Sequence, residues 1–338
     1  MNSRERVYAT LDFTGPDRLP TDFWPVPAAW AGREDAFRAI TARYPGDFGG
    51  IPFTNIFDIC CYTRGVTIDN WGCEWLTLID GMVGEVKRAP LADYARLRDY
   101  TWPSTAQAPG WEDAAHTARA AQADRFLLGN AGDPFERMQC LRGPEALFTD
   151  LADDECGEVY VLRDRVFALV RENVELLLRT GVDAISFSDD WGSQQRLLIH
   201  PRRWREFFKP KYQELFDLVR DAGKRIFFHS DGYILDIYPD LIALGVEALN
   251  SQVWCMGLDA LAPFAGTLTF WGELDRQHVL PHGAPAEIKR DARRMVEAFY
   301  RNGGLIGQSS VDGMSSLENI EAALSAWWEI PLPAQTGA

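Results

Sequence analysis

The chain has 338 residues, 46% of them hydrophobic and 25% charged, enough to bury a full core in one large domain. Its formal net charge of -15 and pI near 4.8 argue against nucleic acid as a partner, which would need a basic face to neutralise phosphates. No apolar run approaches the roughly 20 residues that cross a bilayer, and no basic start, apolar core and small-residue cleavage site marks a leader; the expected location is the cytoplasm, away from membranes.

Residues 1–18 read as an irregular N-terminal extension, followed by a first strand near Leu19 to Val26. The stretch to about residue 110 is rich in Trp, Pro and Gly and holds a small β-excursion over 71–87. From Phe126 the pattern becomes regular. The β-like runs "RFLLGN", "VDAISFS", "KRIFFHS", "VEALNSQ", "TLTFWGEL" and "LIGQSS" alternate with amphipathic stretches. Val166, Leu169, Val170, Val174, Leu177 and Leu178 recur at helical spacing between Val159 and Thr180, with Gly181 placed as a C-cap. "PRRWREFFKPKYQELFDLVRDAG" reads as one helix, and "ILDIYPDLIALG", "PAEIKRDARRMVEAFYRNGG" and "LENIEAALSAWWEI" supply three more.

Strand and helix repeating five or six times with short connections means parallel strands joined by helical crossovers. The length suits a (β/α)8 TIM barrel, about 250 residues with room for insertions, as one continuous domain over 1–338. Neither GxGxxG after a first strand nor GxxxxGK[ST] is present, which weighs against dinucleotide and P-loop folds. Six cysteines without C-x-x-C spacing are expected to be reduced, buried thiols.

In a parallel barrel the catalytic groups come from the C-terminal ends of the strands and the loops after them. Five consecutive predicted strands end in polar residues: Asp189, Asp190, Trp191 and Gln194 after the first, His229 and Asp231 after the second, then Asn250 and Gln252, Glu273, and finally Gln308 with Ser309 and Ser310. His229 is the one histidine of five at a predicted strand end. Asp189 and Asp190 also suit helix caps, and Asp231-Gly232 a turn. One imidazole among several carboxylates can hold a metal such as zinc; the same groups can work as an acid and a base without one. The sequence is compatible with both.

The segments "SRERVYATLDFTGPDRLPTDFW", "DNWGCEW", "MVGEVKRAPLADYARLRDYTWP", "SDDWGSQQ", "FFHSDG", "LIALGVEALNSQ" and "GGLIGQSSVDGMSSLENIEAALSAW" together resemble the uroporphyrinogen decarboxylase superfamily over nearly the whole chain. The resemblance implies the same barrel and one of two chemistries. True decarboxylases of this family carry an arginine-rich W-x-M-R-Q-A-G-R motif for the porphyrinogen carboxylates; here "FWPVPAAWAGRED" offers only Arg33. The resemblance therefore points to the corrinoid-dependent methyltransferases, and within them to demethylase-like members with "DDWGSQ" and "HSDG".

Several of those relatives hold zinc through H-x-C and a later cysteine. Here His229 matches the histidine, Asp231 stands at the first cysteine, and Ser309 or Ser310 lies near the second. A carboxylate-rich set, His229, Glu273 and Asp231, suits an O-methyl donor better than a thiol. On this reading Asp190, Asp231 and His229 are catalytic, and Trp24, Asp189, Trp191, Gln194, Asn250, Gln252 and Gln308 bind substrate. The chain lacks a D-x-H-x-x-G corrinoid module, so the corrinoid would arrive on a separate protein docking at the barrel mouth; a homodimer is also compatible. The alternatives are a metal-free decarboxylase or lyase of a smaller carboxylate, and a non-catalytic binding paralogue.

Overall fold

Eleven strands alternate with helices in the computed structural model, which describes residues 1–153 and 155–333. In chain order they are β1 (Thr21–Pro25), β2 (Phe48–Gly50), β3 (Gly65–Ile68), β4 (Glu74–Thr77), β5 (Glu85–Arg88), β6 (Phe126–Gly132), β7 (Ala184–Ser188), β8 (Arg225–Ser230), β9 (Ala248–Ser251), β10 (Thr269–Glu273) and β11 (Leu305–Val311). Eight of them form one sheet in the order β1-β11-β10-β9-β8-β7-β6-β2, with every pairing parallel.

β1 and β2 are the two ends of that sheet, and Asp47 joins them. Its N–H donates to the Thr21 carbonyl at 2.8 Å, and its carboxylate accepts the Thr21 N–H at 2.8 Å. The result is the (β/α)8 barrel expected from the strand and helix alternation. β2 has no counterpart among the predicted strands because it is three residues long and two of them are glycine. The β-excursion is the antiparallel sheet β3-β4-β5, which begins at residue 65 rather than 71.

The expected irregular extension contains a helix, Ser3–Leu11, closed by an Asn2 and Glu5 capping box. Its Val7 and Leu11, one turn apart, plug the barrel floor against Phe126, Ala184, Phe227, Ala248, Trp271 and Ile306. The single helix expected over 201–223 is two, Pro201–Phe207 and Lys209–Asp221. Pro210 lacks an N–H and crowds the preceding turn, so the chain breaks at Phe208. All six cysteines are free; Cys73 is buried and the other five are half-buried, not fully buried as expected. Among the described residues no helix is long and apolar enough to cross a membrane.

Side chains alternate across each strand, so positions two apart share the barrel interior. Above the floor layer this places Asp22, Trp24, Phe48, Leu128, Ser186, Ser188, His229, Asn250, Glu273 and Ser310 inside, with Trp24 level with Ser310. Bulky rings fill the bottom, and small residues on β2 and β7 leave the upper part hollow.

Candidate active site

The hollow is a cavity of about 840 Å3 opening at the C-terminal ends of the strands. Its walls are mainly aromatic and aliphatic, with Trp24, Trp30, Phe48, Tyr62 and Trp271 among them, and Asp22, Asn130, His229, Arg276 and Ser310 break the apolar surface. A largely apolar cavity with a few convergent polar groups is the form that binding sites for small molecules take.

His229 ends β8 facing inward. Its Nδ1 lies 2.6 Å from Asn250 Oδ1 on β9, and Asn250 Nδ2 donates to the Trp271 carbonyl at 2.6 Å. On the other side, His229 Nε2 is 3.4 Å from Asp190 Oδ1 and 3.6 Å from Asp231 Oδ1. The two carboxylates are held by backbone lacing between the loops after β7 and β8. Asp231 N–H donates to Asp190 Oδ1 at 2.8 Å, Gly192 N–H to the Asp231 carbonyl at 3.1 Å, and Tyr233 N–H to the Ser193 carbonyl at 2.7 Å. Arg276 pairs with Asp231 through Nη2 and approaches Glu273 at 3.3 Å through Nε.

Burial opposes a charge on His229, but the contact with Asp190 and the nearby charge of Asp231 outweigh it and raise its pKa to about 9. Burial likewise opposes the Asp190 charge, and the His229 and Arg276 cations still hold its pKa below the ordinary value. Glu273 is fully enclosed; burial lifts its pKa to about 7 against the pull of Arg276. Glu136, on the helix Pro134–Arg142, is pushed well above its ordinary value by burial and by Asp190, Asp133 and Asp189 around it.

Asp190, His229 and Asp231 form the group whose ligand atoms lie within 4.8 Å of one another and could hold a metal ion. Glu273, expected in that set, lies outside it and instead meets Ser310 Oγ at 3.4 Å. Trp24 lines the cavity. Gln308 is buried in the interior and donates to Ser310 Oγ at 2.9 Å. Gln252 accepts the Gly232 N–H at 3.1 Å and so steadies the Asp231 loop.

Gln194 is exposed and lies in an outer groove beyond the Asp231–Arg276 pair. Asp189 and Trp191, expected at the substrate, face away from the cavity. Asp189 accepts Phe135 N–H at 2.8 Å, Glu136 N–H at 2.9 Å and the Tyr212 hydroxyl, capping the helix Pro134–Arg142 from another strand. Trp191 is fully buried, stacked 3.9 Å from Phe135. Alternation is the reason: of two adjacent residues leaving β7, only one side can face the mouth.

Three polar residues at the site, Asp22, Arg276 and Glu136, are absent from the sequence expectations. Asp22 shares the inward face of β1 with Trp24, a two-residue spacing visible in "TDFW". Arg276 follows Glu273 by three residues in "GELDR". Ser310, already named at the last strand end, lines the cavity, and Glu136 lies in the first turn of the helix that follows β6, the strand beside β7.

The model of the family described as "Uroporphyrinogen decarboxylase (URO-D)" matches residues 72–326. No curated protein matches the sequence. Among solved structures, a methyltransferase from Methanosarcina mazei superposes with a TM-score of 0.69 at 16% identity, over 97% of this chain and 99% of that one. The 3-keto-D-glucoside 4-epimerase YcjR from E. coli gives 0.41 at 12% identity, over 64% and 84%. A dihydropteroate synthase from Xanthomonas albilineans gives 0.34 at 15%, over 61% and 68%.

Proposed function

The chain belongs to the uroporphyrinogen decarboxylase family, and from that premise we propose that it is a methyltransferase, moving a methyl group from a small O-methylated substrate to a corrinoid on a separate protein. The observation that carries this reading is the Asp190, His229 and Asp231 cluster, which meets an aromatic cavity through His229. Such a cavity takes a flat apolar group and brings one polar atom of it to the cluster. A porphyrinogen with its many carboxylates is a poor fit. Arg33 is used internally, donating to the Ala29 carbonyl at 2.6 Å and the Ser315 carbonyl at 2.8 Å, and the arginine at the cavity, Arg276, is already paired with Asp231. The chain-wide superposition on a methyltransferase agrees with the proposal at the level of fold.

The donor set fits a divalent cation. Asp231 Oδ1 is buried without a hydrogen-bond partner, and one imidazole nitrogen with two carboxylates is a set zinc accepts. Asp190, His229 and Asp231 would hold it, and a bound cation supplies Lewis acidity to polarise the ether oxygen. The chain's own residues do the rest. Asn250 fixes the His229 ring, Arg276 holds Asp231 in place, and Trp24, Trp271 and Phe48 seat the apolar part of the substrate. The partner's reduced corrinoid would supply the electron pair that takes up the methyl group; on this chain's side the departing oxygen keeps the C–O electron pair and takes a proton. Glu273, with its pKa near 7 and its contact to cavity-lining Ser310, is the acid we assign to supply that proton by way of Ser310.

The mouth also suits a protein partner. Phe53, Ile59, Leu78, Ile79 and Val83 are all more than half exposed. Phe53 and Ile59 line the cavity entrance, and the loop carrying the other three is tied to it, the Ala28 N–H donating to the Gly81 carbonyl at 3.1 Å. Exposed apolar surface of this kind marks an interaction site. The test is incubation with methyl ethers, methanol and methylamines and a Co(I) corrinoid protein, following the absorbance of methylcobalamin. Transfer from an ether is the expected result; no transfer from any donor overturns the proposal.

A further inference from the structure

The cavity has two polar ends, and the second is Asp22. It is 8% exposed and faces the cavity from β1 among rings. Trp24 Nε1 donates to its Oδ2 at 2.8 Å, Trp271 Nε1 to the same oxygen at 3.1 Å, and Phe23 N–H to Oδ1 at 2.9 Å. A carboxylate offers about four acceptor positions, so three donors leave one open, on Oδ1. Among the described residues no Lys, Arg or His forms an ion pair with it. Burying an ionised group without a counter-ion is costly, and burial lifts the Asp22 pKa to about 6 despite the indole donors. Packing alone gives no reason for an acid here, because the barrel floor below it is filled by apolar side chains.

One side chain touches both ends. The Trp24 indole donates to Asp22 and its ring also meets the His229 ring edge-on with centroids 5.5 Å apart. Trp271 stands at 87° to it, 4.7 Å away, and Phe48 stacks over Trp271 at 6.1 Å. Asp22 and His229 thus both adjoin the Trp24 ring inside one cavity, and the walls beside them are flat.

We propose that Asp22 is a specificity-determining residue, the acceptor for a hydroxyl carried across the ring from the methoxyl group of an O-methylated phenol. The assignment rests on the O-methyl reading above and adds the part of the substrate that does not react. The methoxyl oxygen faces Asp190, His229 and Asp231, the ring lies against Trp24, Trp271 and Phe48, and the hydroxyl donates to the open position on Asp22 Oδ1. A hydrogen bond to an ionised acceptor is stronger than a neutral one. An analogue without the hydroxyl leaves a desolvated carboxylate short of a donor, which is how polar sites reject such analogues.

The test is calorimetric titration of the protein with 4-methoxyphenol, 2-methoxyphenol and anisole, with methyl transfer to a Co(I) corrinoid protein measured separately. The expected result is that 4-methoxyphenol binds at least tenfold tighter than anisole, and that 2-methoxyphenol, whose hydroxyl sits beside the methoxyl, behaves like anisole. Asp22→Asn, which keeps an acceptor oxygen but loses the charge, brings the ratio close to one. If that variant does not fold, the wild-type ratio decides alone. Equal wild-type binding of 4-methoxyphenol and anisole overturns the assignment of Asp22 and leaves the O-methyl reading standing when either compound donates its methyl group. Failure of all three to bind or to donate overturns both.

Discussion

Asn250 Oδ1 and His229 Nδ1 lie 2.6 Å apart, while Asn250 Nδ2 is committed to the Trp271 carbonyl. With its amide nitrogen used, Asn250 can only accept from the ring, so Nδ1 carries a hydrogen and Nε2 is turned to Asp190 and Asp231. A partner of this kind, behind the residue that does the chemistry, fixes tautomer and ring orientation. Asn250→Ala should lower kcat by about 10- to 100-fold with a smaller change in KM. An NMR titration should show the His229 pKa falling as well, since the hydrogen bond to Asn250 helps to raise it. Unchanged turnover and titration would show that Asn250 only fills space.

The pH dependence of stability follows from the same ring. His229 rises from 6.5 in the unfolded chain to about 9 in the fold. A raised pKa means that its stabilising contribution is complete below pH 6.5 and is lost as pH climbs through 9. The full difference is about 3 kcal/mol at 1.36 kcal/mol per pH unit. Urea unfolding of wild type and His229→Asn between pH 6 and pH 10 should show wild type losing about that much more stability. Parallel curves would remove the charged His229 from the argument.

Metal binding competes with that proton. A cation on Asp190, His229 and Asp231 displaces the proton His229 holds at neutral pH, so affinity should rise with pH until about pH 9. Titration with Co2+, read by its absorption bands, should give one site per chain. Asp190→Asn and Asp231→Asn should weaken it at least tenfold, and Glu273→Gln should leave it nearly unchanged. A Glu273→Gln loss as large as the Asp231→Asn loss would return Glu273 to the ligand set.

The barrel was legible because hydrophobic runs ending in polar residues recur with a strand and helix period, and because parallel strands bring those ends together. His229, Asp190, Asp231 and Asn250 converge for that reason. Asp189 and Trp191 show the limit of the rule: a residue just past a strand end can turn to either side, and only the packing of the helix Pro134–Arg142 decides which. Asp22 escaped notice for the opposite reason. It sits one pair of residues below the strand end, at a depth where the sequence rule looks for core. Glu136 also follows a strand end, in the first turn of the helix after β6, where a glutamate reads as an ordinary helix-start residue.

The loop lacing has a backbone prediction. Gly232 has φ of +77°, and a Cβ there would come within 2.1 Å of the Gly192 carbonyl oxygen. Both the left-handed backbone and the close approach require glycine. Gly232→Ala should cost upwards of 1 kcal/mol and displace Asp231 from His229. A lower melting temperature accompanied by weaker Co2+ binding would show both effects; a fully stable variant with wild-type metal affinity would contradict the lacing argument.

The docking proposal separates from the chemistry at Leu78 and Ile79. Both are largely exposed on the loop between β4 and β5, outside the cavity lining. Charge placed there should repel an apolar partner surface without disturbing the cavity. Ile79→Asp, alone and with Leu78→Asp, should raise the KM for a corrinoid protein about tenfold or more, as expected when a buried apolar anchor is lost. Transfer to free Co(I) cobalamin should stay at the wild-type rate, because that acceptor needs no protein contact. Equal loss with both acceptors would mean that the loop acts through the fold, and equal retention with both would place the partner on another face of the barrel.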